Sequence, residues 1–181
     1  MDSFYSTDEL KELGIKKFGK NVYISKKASI YSPKELVIGN NVRIDDFCIL
    51  SGNIKIGNYV HISAYVALYG KYGIEINDFC GCSARCTLYS ATDDFSGNFM
   101  ISPMVPEELT NIISGKIILK KFVQIGANTL IMPKTICEEG AAVGAMSFVN
   151  KSLKEWTIYA GIPCKEIKER SKNIKELSKK I

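Results

Sequence analysis

The feature that most constrains this chain is an apolar residue that recurs at every sixth position. A period of six fits neither an α-helix, which repeats every 3.6 residues, nor a single strand, which repeats every 2. It fits a coil with three short flat sides, because stacked coils of this kind bury a continuous apolar column. The series runs at intervals of six through Ile38, Ile44, Leu50, Ile56, Ile62 and Leu68, resumes after a two-residue slip at Ile76, Cys82 and Leu88, and returns later at Leu119, Ile125, Ile131, Cys137, Val143 and Val149. Ile24 and Ile30 extend it backwards across a step of eight residues.

The cysteines follow the same rhythm. Although CGCSARC invites a metal-site interpretation, five of the six cysteines fall on positions that the repeat turns inward: Cys48, Cys80, Cys82, Cys86 and Cys137. Free cysteine packs as a small hydrophobe, and the spacing of a zinc ribbon is absent. We therefore expect thiols packed in the core, in a reducing compartment. Cys164 lies outside the repeat, and its role stays open.

The remainder of the chain bounds the class of protein. A length of 181 residues suits one domain, and no apolar run approaches a membrane span or a signal peptide. The net charge of +5 is concentrated in the tail, residues 165–181, where glutamates are interleaved with the basic residues. This pattern indicates a solvated helix and no nucleic-acid partner. We expect a cytoplasmic protein without membrane insertion.

Three segments follow from these patterns. Ser6 and Glu9 form a capping-box pattern, which predicts a helical cap over residues 1–20. The solenoid is expected over residues 21–164, with a C-terminal helix over residues 165–181. Within the solenoid, the repeat lapses over residues 91–115, which is too long for an idle loop in a compact coil.

With this repeat and this interruption, the chain resembles the hexapeptide-repeat acyltransferases. The motifs that carry the resemblance are GKIILKKFVQIGANTLIMPKTICEEGAAVGAMSFVNKSL and the closing phrase IYAGIPCKEIKER. The resemblance covers about residues 20–165 and implies an all-β fold, a left-handed parallel β-helix. It also implies a homotrimer, acetyl-CoA as acyl donor with no metal, and active sites between subunits. Among these enzymes, the chain is most similar to the sugar O- and N-acyltransferases of bacterial surface-polysaccharide (lipopolysaccharide) biosynthesis.

The resemblance gives the interruption at 91–115 a role, since in this family such a segment reaches over the neighbouring subunit to form the acceptor site. It carries the candidate catalytic residues Asp93 and Asp94. The candidate substrate-binding residues on it are Glu107, Glu108 and Asn111. A solvated polar loop is the alternative interpretation.

This chain departs from the family at the catalytic base. Family members that acetylate sugars usually carry a histidine near the start of this segment, and in this chain Asp93 falls at or next to that position. The single histidine, His61, lies on another coil and points outward, either as a rival base or as a surface residue. A hydroxyl needs a base during attack on a thioester, and a carboxylate of ordinary pKa suits that task poorly. A neutral amine attacks without prior deprotonation, so the acids favour an amino sugar over a hydroxyl as acceptor.

The remaining site residues follow from the coil that precedes the interruption and from the family pattern. Ser83 and Arg85 are expected to face the acceptor, Arg85 either at a nucleotide diphosphate or in a surface ion pair. The resemblance implies that small residues accommodate pantetheine, that lysines meet the phosphates of CoA, and that an apolar pair flanks its adenine. These cofactor-binding candidates are Ser114, Gly126, Ala127, Gly144, Ala145, Lys151, Ile162, Pro163, Lys165 and Lys168.

Three other functions are known or conceivable for a chain with this repeat. A γ-type carbonic anhydrase needs three histidines per metal, and one histidine per chain cannot supply them. A sugar nucleotidyltransferase needs an additional α/β domain, for which twenty residues before the repeat leave no room. A non-enzymatic scaffold remains the alternative from a different class, and it predicts that CoA does not bind.

Overall fold

The six-residue rhythm produces a prism of stacked coils in the computed structural model, which describes residues 3–181. Two short helices lie near the ends, α1 (Thr7–Glu12) and α2 (Asn173–Ser178), and single 3₁₀ turns occur at Pro33–Glu35 and Glu107–Leu109. The strands are β1 (Lys17–Phe18), β2 (Val22–Ile24), β3 (Ser29–Ile30), β4 (Leu36–Ile38), β5 (Val42–Ile44), β6 (Ile49–Ile56), β7 (Val60–Ile62), β8 (Ala67–Ile76), β9 (Gly81–Cys82), β10 (Thr87–Tyr89), β11 (Ala91–Asp93), β12 (Ile112–Ser114), β13 (Ile117–Leu119), β14 (Gln124–Ile125), β15 (Leu130–Ile131), β16 (Ile136–Cys137), β17 (Ala142–Val143), β18 (Phe148–Val149), β19 (Thr157–Ala160) and β20 (Lys165–Glu169).

The strands form three faces. The first face is the parallel series β2-β5-β7-β9-β14-β17-β19, closed by antiparallel β20. The second face contains β3, the start of β6 and β8, then β10, β15 and β18. The third face contains β1, β4, the ends of β6 and β8, then β13 and β16. We call the edge between the first and second faces corner A, between the second and third corner B, and between the third and first corner C.

The core confirms the predicted phase of the repeat. The cysteines expected to pack inward are buried as free thiols, as is Cys164, and Cys82 is 1% exposed. Burial in apolar surroundings raises the pKa of Cys80 to about 12 and that of Cys48 to about 11, so both thiols are neutral and inert at ordinary pH. The predicted all-β solenoid, a left-handed parallel β-helix, is the fold.

The corners repeat one backbone conformation. At corner C each coil, and at corner A each coil after the first, places one residue in the left-handed region, which produces a sharp turn. At corner C these residues are mostly aromatic, so the rings of Tyr59, Phe79 and Phe122 stack in successive coils with centroids 5.0 and 5.2 Å apart. Trp156 continues the stack at 6.0 Å. Stacking offsets part of the strain of the turn, since offset aromatic pairs add to the energy of burial.

The two ends differ from each other. The predicted capping box is present, because the Ser6 hydroxyl accepts from the Glu9 amide while the Glu9 carboxylate accepts from the Ser6 amide. The C-terminal segment is helical only over α2. Residues 165–169 instead form β20, because their amides extend the first face by pairing with β19. Arg170 then donates to the carbonyls of Phe122 and Gly140, which fastens the tail to corner C.

Candidate functional site

The interruption at residues 91–115 emerges from corner B. It begins and ends in an antiparallel ladder, where β11 pairs with β12 and Asp93 lies opposite Ile112. We call residues 91–115 the excursion. None of these residues is buried, and several apolar side chains on the excursion are exposed to solvent: Phe95, Phe99, Met100, Ile101, Met104, Leu109, Ile112 and Ile113.

The excursion encloses a pocket of about 440 Å³ beside corner B. The volume lies within the range of small-ligand sites. Its titratable lining groups are Asp93, Glu107 and Lys71, and the other lining residues are Ala91, Thr92, Ser102, Pro103, Val105, Thr110 and Ile112. We call it the excursion pocket.

The two adjacent acids have different surroundings. Both carboxylate oxygens of Asp94 are engaged, one by the Ser96 amide at 2.8 Å and the other by the Asn111 side-chain amide at 2.8 Å. These hydrogen bonds, the Ser96 amide first, hold the pKa of Asp94 below its usual value. Asp93 makes no hydrogen bond or ion pair through its carboxylate to any part of residues 3–181, and it lines the excursion pocket. The geometry therefore leaves the Asp93 carboxylate available to a ligand, whereas the Asp94 carboxylate links two parts of the excursion through its hydrogen bonds to Ser96 and Asn111.

The other acceptor-side candidates are only partly brought together. Glu107 lines the pocket with Asp93, as expected for a substrate-binding residue. Asn111 is occupied by Asp94, and Glu108 is exposed outside the pocket lining.

His61 lies elsewhere, on the outward side of the first face. Its Nε2 is 2.7 Å from one oxygen of Asp45, while Arg43 donates to the other oxygen at 2.7 Å. Partial burial opposes ionisation of Asp45, but these two partners outweigh it and hold the Asp45 pKa below its usual value. Within one chain, the second face separates His61 from the excursion pocket.

Ser83 begins corner A and shares a small groove with His61. The groove also contains Gln124, whose side-chain nitrogen is 3.5 Å from the Ser83 hydroxyl. Arg85, two residues further on, places its guanidinium over the Tyr65 ring at 5.4 Å and makes no ion pair with any carboxylate of residues 3–181. The surface ion pair considered for Arg85 is thus not formed within the chain.

The donor-side candidates ascend corner A above Ser83. The Gly126 amide donates to Val143 in the next coil, and the Gly144 amide donates to Tyr159. A Cβ on Gly126 would lie 2.5 Å from the Ala145 nitrogen, so this glycine is required by the stacking of coils. Of the small residues expected to accommodate pantetheine, the two glycines therefore use their amides for the stacking of coils. The next amides, those of Ala127 and Ala145, have no acceptor among residues 3–181 and remain available.

At the top of corner A the chain turns through exposed Ile162 and Pro163. Lys151, Lys165 and Lys168 are exposed at this C-terminal end, and none of them is paired with a carboxylate of the described chain. Ser114 is separate from this group, since it lies on β12 opposite Ala91. The structure therefore gathers six donor-side candidates in one column at corner A, namely Gly126, Ala127, Gly144, Ala145, Ile162 and Pro163, and leaves Ser114 with the excursion. Lys165 lies opposite Ala160 at the top of this column, whereas Lys168 lies opposite Ile158 and Lys151 follows β18 at corner B.

Sequence reasoning missed Lys71, which lines the excursion pocket. The available signal was the two-residue slip of the repeat after Leu68, which marks a widened corner.

The described chain contains no cluster of three or more metal-ligating side chains, and its two helices are too short to cross a membrane.

Comparison with known proteins agrees with this geometry. The family model described as bacterial transferase hexapeptide (six repeats) matches residues 36–70. A dTDP-4-amino-4,6-dideoxy-D-glucose acyltransferase from Escherichia coli is 46% identical over 172 residues, which span 93% of this chain and 90% of that protein.

The N-acyltransferase AntD from Bacillus cereus has been solved in complex with dTDP and 3-hydroxybutyryl-CoA. It superposes with a TM-score of 0.97 at 55% identity, covering 99% of this chain and 96% of AntD. An AntD variant with a serine replaced was solved with dTDP-4-amino-4,6-dideoxyglucose and CoA, at 53% identity, a TM-score of 0.96 and coverage of 99% and 97%.

These relatives confirm the predictions of a CoA-dependent acyltransferase and of an amino sugar as acceptor, and the scaffold alternative is set aside. With a relative of this identity along nearly its whole length, the chain belongs to the hexapeptide-repeat acyltransferase family and is an enzyme of its sugar acyltransferase branch.

Proposed function

We propose that this enzyme transfers an acyl group from CoA to the 4-amino group of a dTDP-linked 4-amino-4,6-dideoxyhexose, with Asp93 as the residue that holds the amine. The observation that carries the assignment is the unengaged carboxylate of Asp93 in the excursion pocket. The acceptor class is taken from the relatives, which act on or bind this sugar nucleotide.

A second observation supports the choice of Asp93 over Asp94. AntD was solved with one aspartate replaced by alanine or asparagine, and also with replacements of a serine that precedes this aspartate by ten residues. Here Ser83 precedes Asp93 by ten residues, whereas its separation from Asp94 is one residue longer.

The chemistry suits a carboxylate. The amine nitrogen attacks the thioester carbonyl, the carbon–sulfur bond breaks, and the nitrogen loses a proton while CoA leaves as its thiolate, which can accept that proton. Asp93 accepts a hydrogen bond from the amine, which fixes its lone pair toward the thioester. Because an amine needs no prior deprotonation once it is neutral, no histidine is required at this position.

A homotrimer with sites between subunits accounts for the separation of the two halves of the site. The donor column lies at corner A and the excursion pocket at corner B, on opposite edges of the second face. A neighbouring copy can bring its corner A against the excursion, which also covers the exposed apolar side chains of the excursion. Light scattering is expected to give three times the chain mass of 20.1 kDa.

The cellular setting and the acyl group are also proposals. A dTDP-linked amino sugar is a precursor for surface polysaccharides, which favours a role in lipopolysaccharide or related glycan synthesis in the cytoplasm. Acetyl-CoA remains our predicted donor, and 3-hydroxybutyryl-CoA, bound by AntD, is the second donor to be screened.

The test compares Asp93→Asn with Asp94→Asn in a CoA-release assay on dTDP-4-amino-4,6-dideoxyglucose. Asp93→Asn is expected to lower kcat/KM by about 10²- to 10⁴-fold. Asp94→Asn is expected to lower it less than about tenfold, because asparagine can still accept the Ser96 amide. Mass spectrometry of the product distinguishes an amide from an ester.

Two outcomes would reject the assignment. The first is unchanged kcat/KM in both aspartate variants. The second is a loss of several orders of magnitude in His61→Asn, which would make His61 the base.

A further inference from the structure

The corner beneath the excursion is wider than the corner of the coil below it. In the coil below, three residues (51–53) join the second face to the third, whereas in the next coil five residues (69–73) connect Leu68 to Ile74. The extra residues form a bulge that projects from corner B directly under the point where the excursion begins. We call residues 69–73 the bulge.

The bulge is fixed from inside. The fully buried Ser90 hydroxyl donates to the Tyr69 carbonyl at 2.8 Å and accepts from the Tyr72 amide at 3.0 Å. Gly73 takes a φ of +100°, a conformation that other residues adopt only with strain. Since Ser90 immediately precedes the excursion, the same residue anchors the bulge and the base of the excursion.

Lys71 stands at the apex of the bulge and lines the excursion pocket. Its ammonium lies 5.7 Å from the centre of the Tyr72 ring, and it forms no ion pair with any carboxylate of residues 3–181. The other titratable groups of the pocket, Asp93 and Glu107, are both acidic. Lys71 is thus the single cationic group lining a pocket with two carboxylates.

This charge arrangement has a consequence for the substrate. A nucleotide sugar carries its negative charge on the diphosphate at C1, and the proposed acceptor carries its amine at C4, on the other side of the ring. Carboxylates alone would repel the diphosphate, because like charges brought together in a pocket oppose binding. A lysine on a bulge whose backbone is already held supplies the opposite charge, so only its side chain has to be ordered on binding, and lysine is a common ligand of phosphate.

We infer that Lys71 is a specificity-determining residue that binds the diphosphate of the nucleotide-sugar acceptor. The inference rests on the proposed function, since it assumes a nucleotide-linked substrate. It assigns the slip after Leu68 a role, namely to place a cation in the pocket where Asp93 holds the amine.

The experiment measures binding of dTDP and, separately, of CoA by calorimetry for the full-length enzyme and three variants. Lys71→Met is expected to weaken dTDP binding by about ten- to a hundredfold and to leave CoA binding unchanged. Lys71→Arg retains the charge and should stay within about fivefold of the parent enzyme. Lys55→Met is the matched control, because Lys55 is an exposed lysine one coil below on the third face, outside the pocket lining.

Kinetics separate this role from others. With Lys71→Met, KM for the nucleotide sugar should rise in proportion to the loss of dTDP affinity, while kcat changes less. Unchanged dTDP affinity overturns the inference, and so does a loss confined to CoA, which would place Lys71 at the donor. If the parent enzyme neither binds dTDP nor acylates its amino sugars, the proposed function fails as well. If it does both and Lys71→Met behaves like Lys55→Met, only the inference fails.

Discussion

The regular coils and the excursion are built on opposite principles. In the coils, the side chains at the six-residue repeat point inward and form an apolar column that excludes water. The main chain of each coil is hydrogen-bonded to that of the next coil. In the excursion no residue is buried, and order comes from the short β11–β12 ladder and from the two hydrogen bonds of the Asp94 carboxylate. Stability thus resides in the coils, while the excursion presents polar groups to a ligand without contributing to the core.

The corners show how one fold accommodates both. Corners A and C repeat a fixed turn, because a change of length there would break the stacking of aromatic rings and the ladders on both sides. Corner B varies in length from coil to coil, and both the bulge and the excursion emerge from it. A solenoid can place a site wherever one edge is free to lengthen, since each coil depends only on its neighbours.

The largest effect expected from this comparison concerns two isoleucines, one in each region. Ile125 is fully buried on β14, so Ile125→Ala should lower the free energy of unfolding by about 2–5 kcal/mol. Ile113 lies in the excursion and is 44% exposed within one chain, so Ile113→Ala should cost about 1.5 kcal/mol or less, a value that includes partial cover by a neighbouring copy. Denaturant unfolding at equal protein concentration measures both.

Equal losses for the two variants would contradict the division between coils and excursion. A native-like unfolding slope in both variants is the control that the same cooperative structure is being compared.

The same division explains what the sequence could and could not predict. Core positions such as Ile62 and Cys82 were predictable because the six-residue phase determines which side chains point inward. Asp93 and Asp94 are indistinguishable in the sequence, because their difference lies in partners contributed by Ser96 and Asn111. The interleaved glutamates and basic residues of the tail predict a helix over residues 165–181, yet pairing of residues 165–169 with β19 overrides that preference.

Donor-side residues show a second limit. The sequence identifies the small pairs Gly126–Ala127 and Gly144–Ala145, but only the ladder shows that the glycine amides bond to the next coil while the alanine amides have no acceptor among residues 3–181. Lys71 was missed because an insertion in a repeat signals a change of geometry and does not reveal what the inserted residues face.

A smaller effect is expected at the boundary between the two regions, where Ser90 joins the bulge to the excursion. Ser90→Ala leaves the Tyr72 amide without its buried acceptor, so the free energy of unfolding should fall by about 1–3 kcal/mol. Ser96→Ala is the matched control within the excursion. The Ser96 hydroxyl accepts from the exposed Asn98 amide, which water can satisfy, so the change should stay within about 0.5 kcal/mol. If Ser96→Ala costs as much as Ser90→Ala, the boundary is no more ordered than the loop.

The smallest effect is a difference in how the two regions respond to pH. The excursion contains no cysteine, and the carboxylate that anchors it, Asp94, has a lowered pKa. The stabilisation that Asp94 contributes is therefore present at neutral pH and is lost as the pH falls through the pKa of this carboxylate in the folded protein.

The coils respond to pH at the alkaline end. Burial raises the pKa of Cys80 to about 12, whereas an unfolded thiol ionises near pH 8.5 to 9. Above that pH the unfolded state loses a proton that the folded state keeps, so each such thiol lowers the free energy of unfolding by about 1.4 kcal/mol per pH unit until the folded pKa is reached. Denaturant unfolding between pH 8.5 and 10 should therefore give a shallower decline for Cys80→Ala than for the parent enzyme, whatever the offset that its cavity introduces. Ile125→Ala removes core volume without a titrating group and should keep the parent slope. Parallel curves for Cys80→Ala and the parent would mean that this thiol ionises in the folded coils as readily as in the unfolded chain, which its burial in the apolar column opposes.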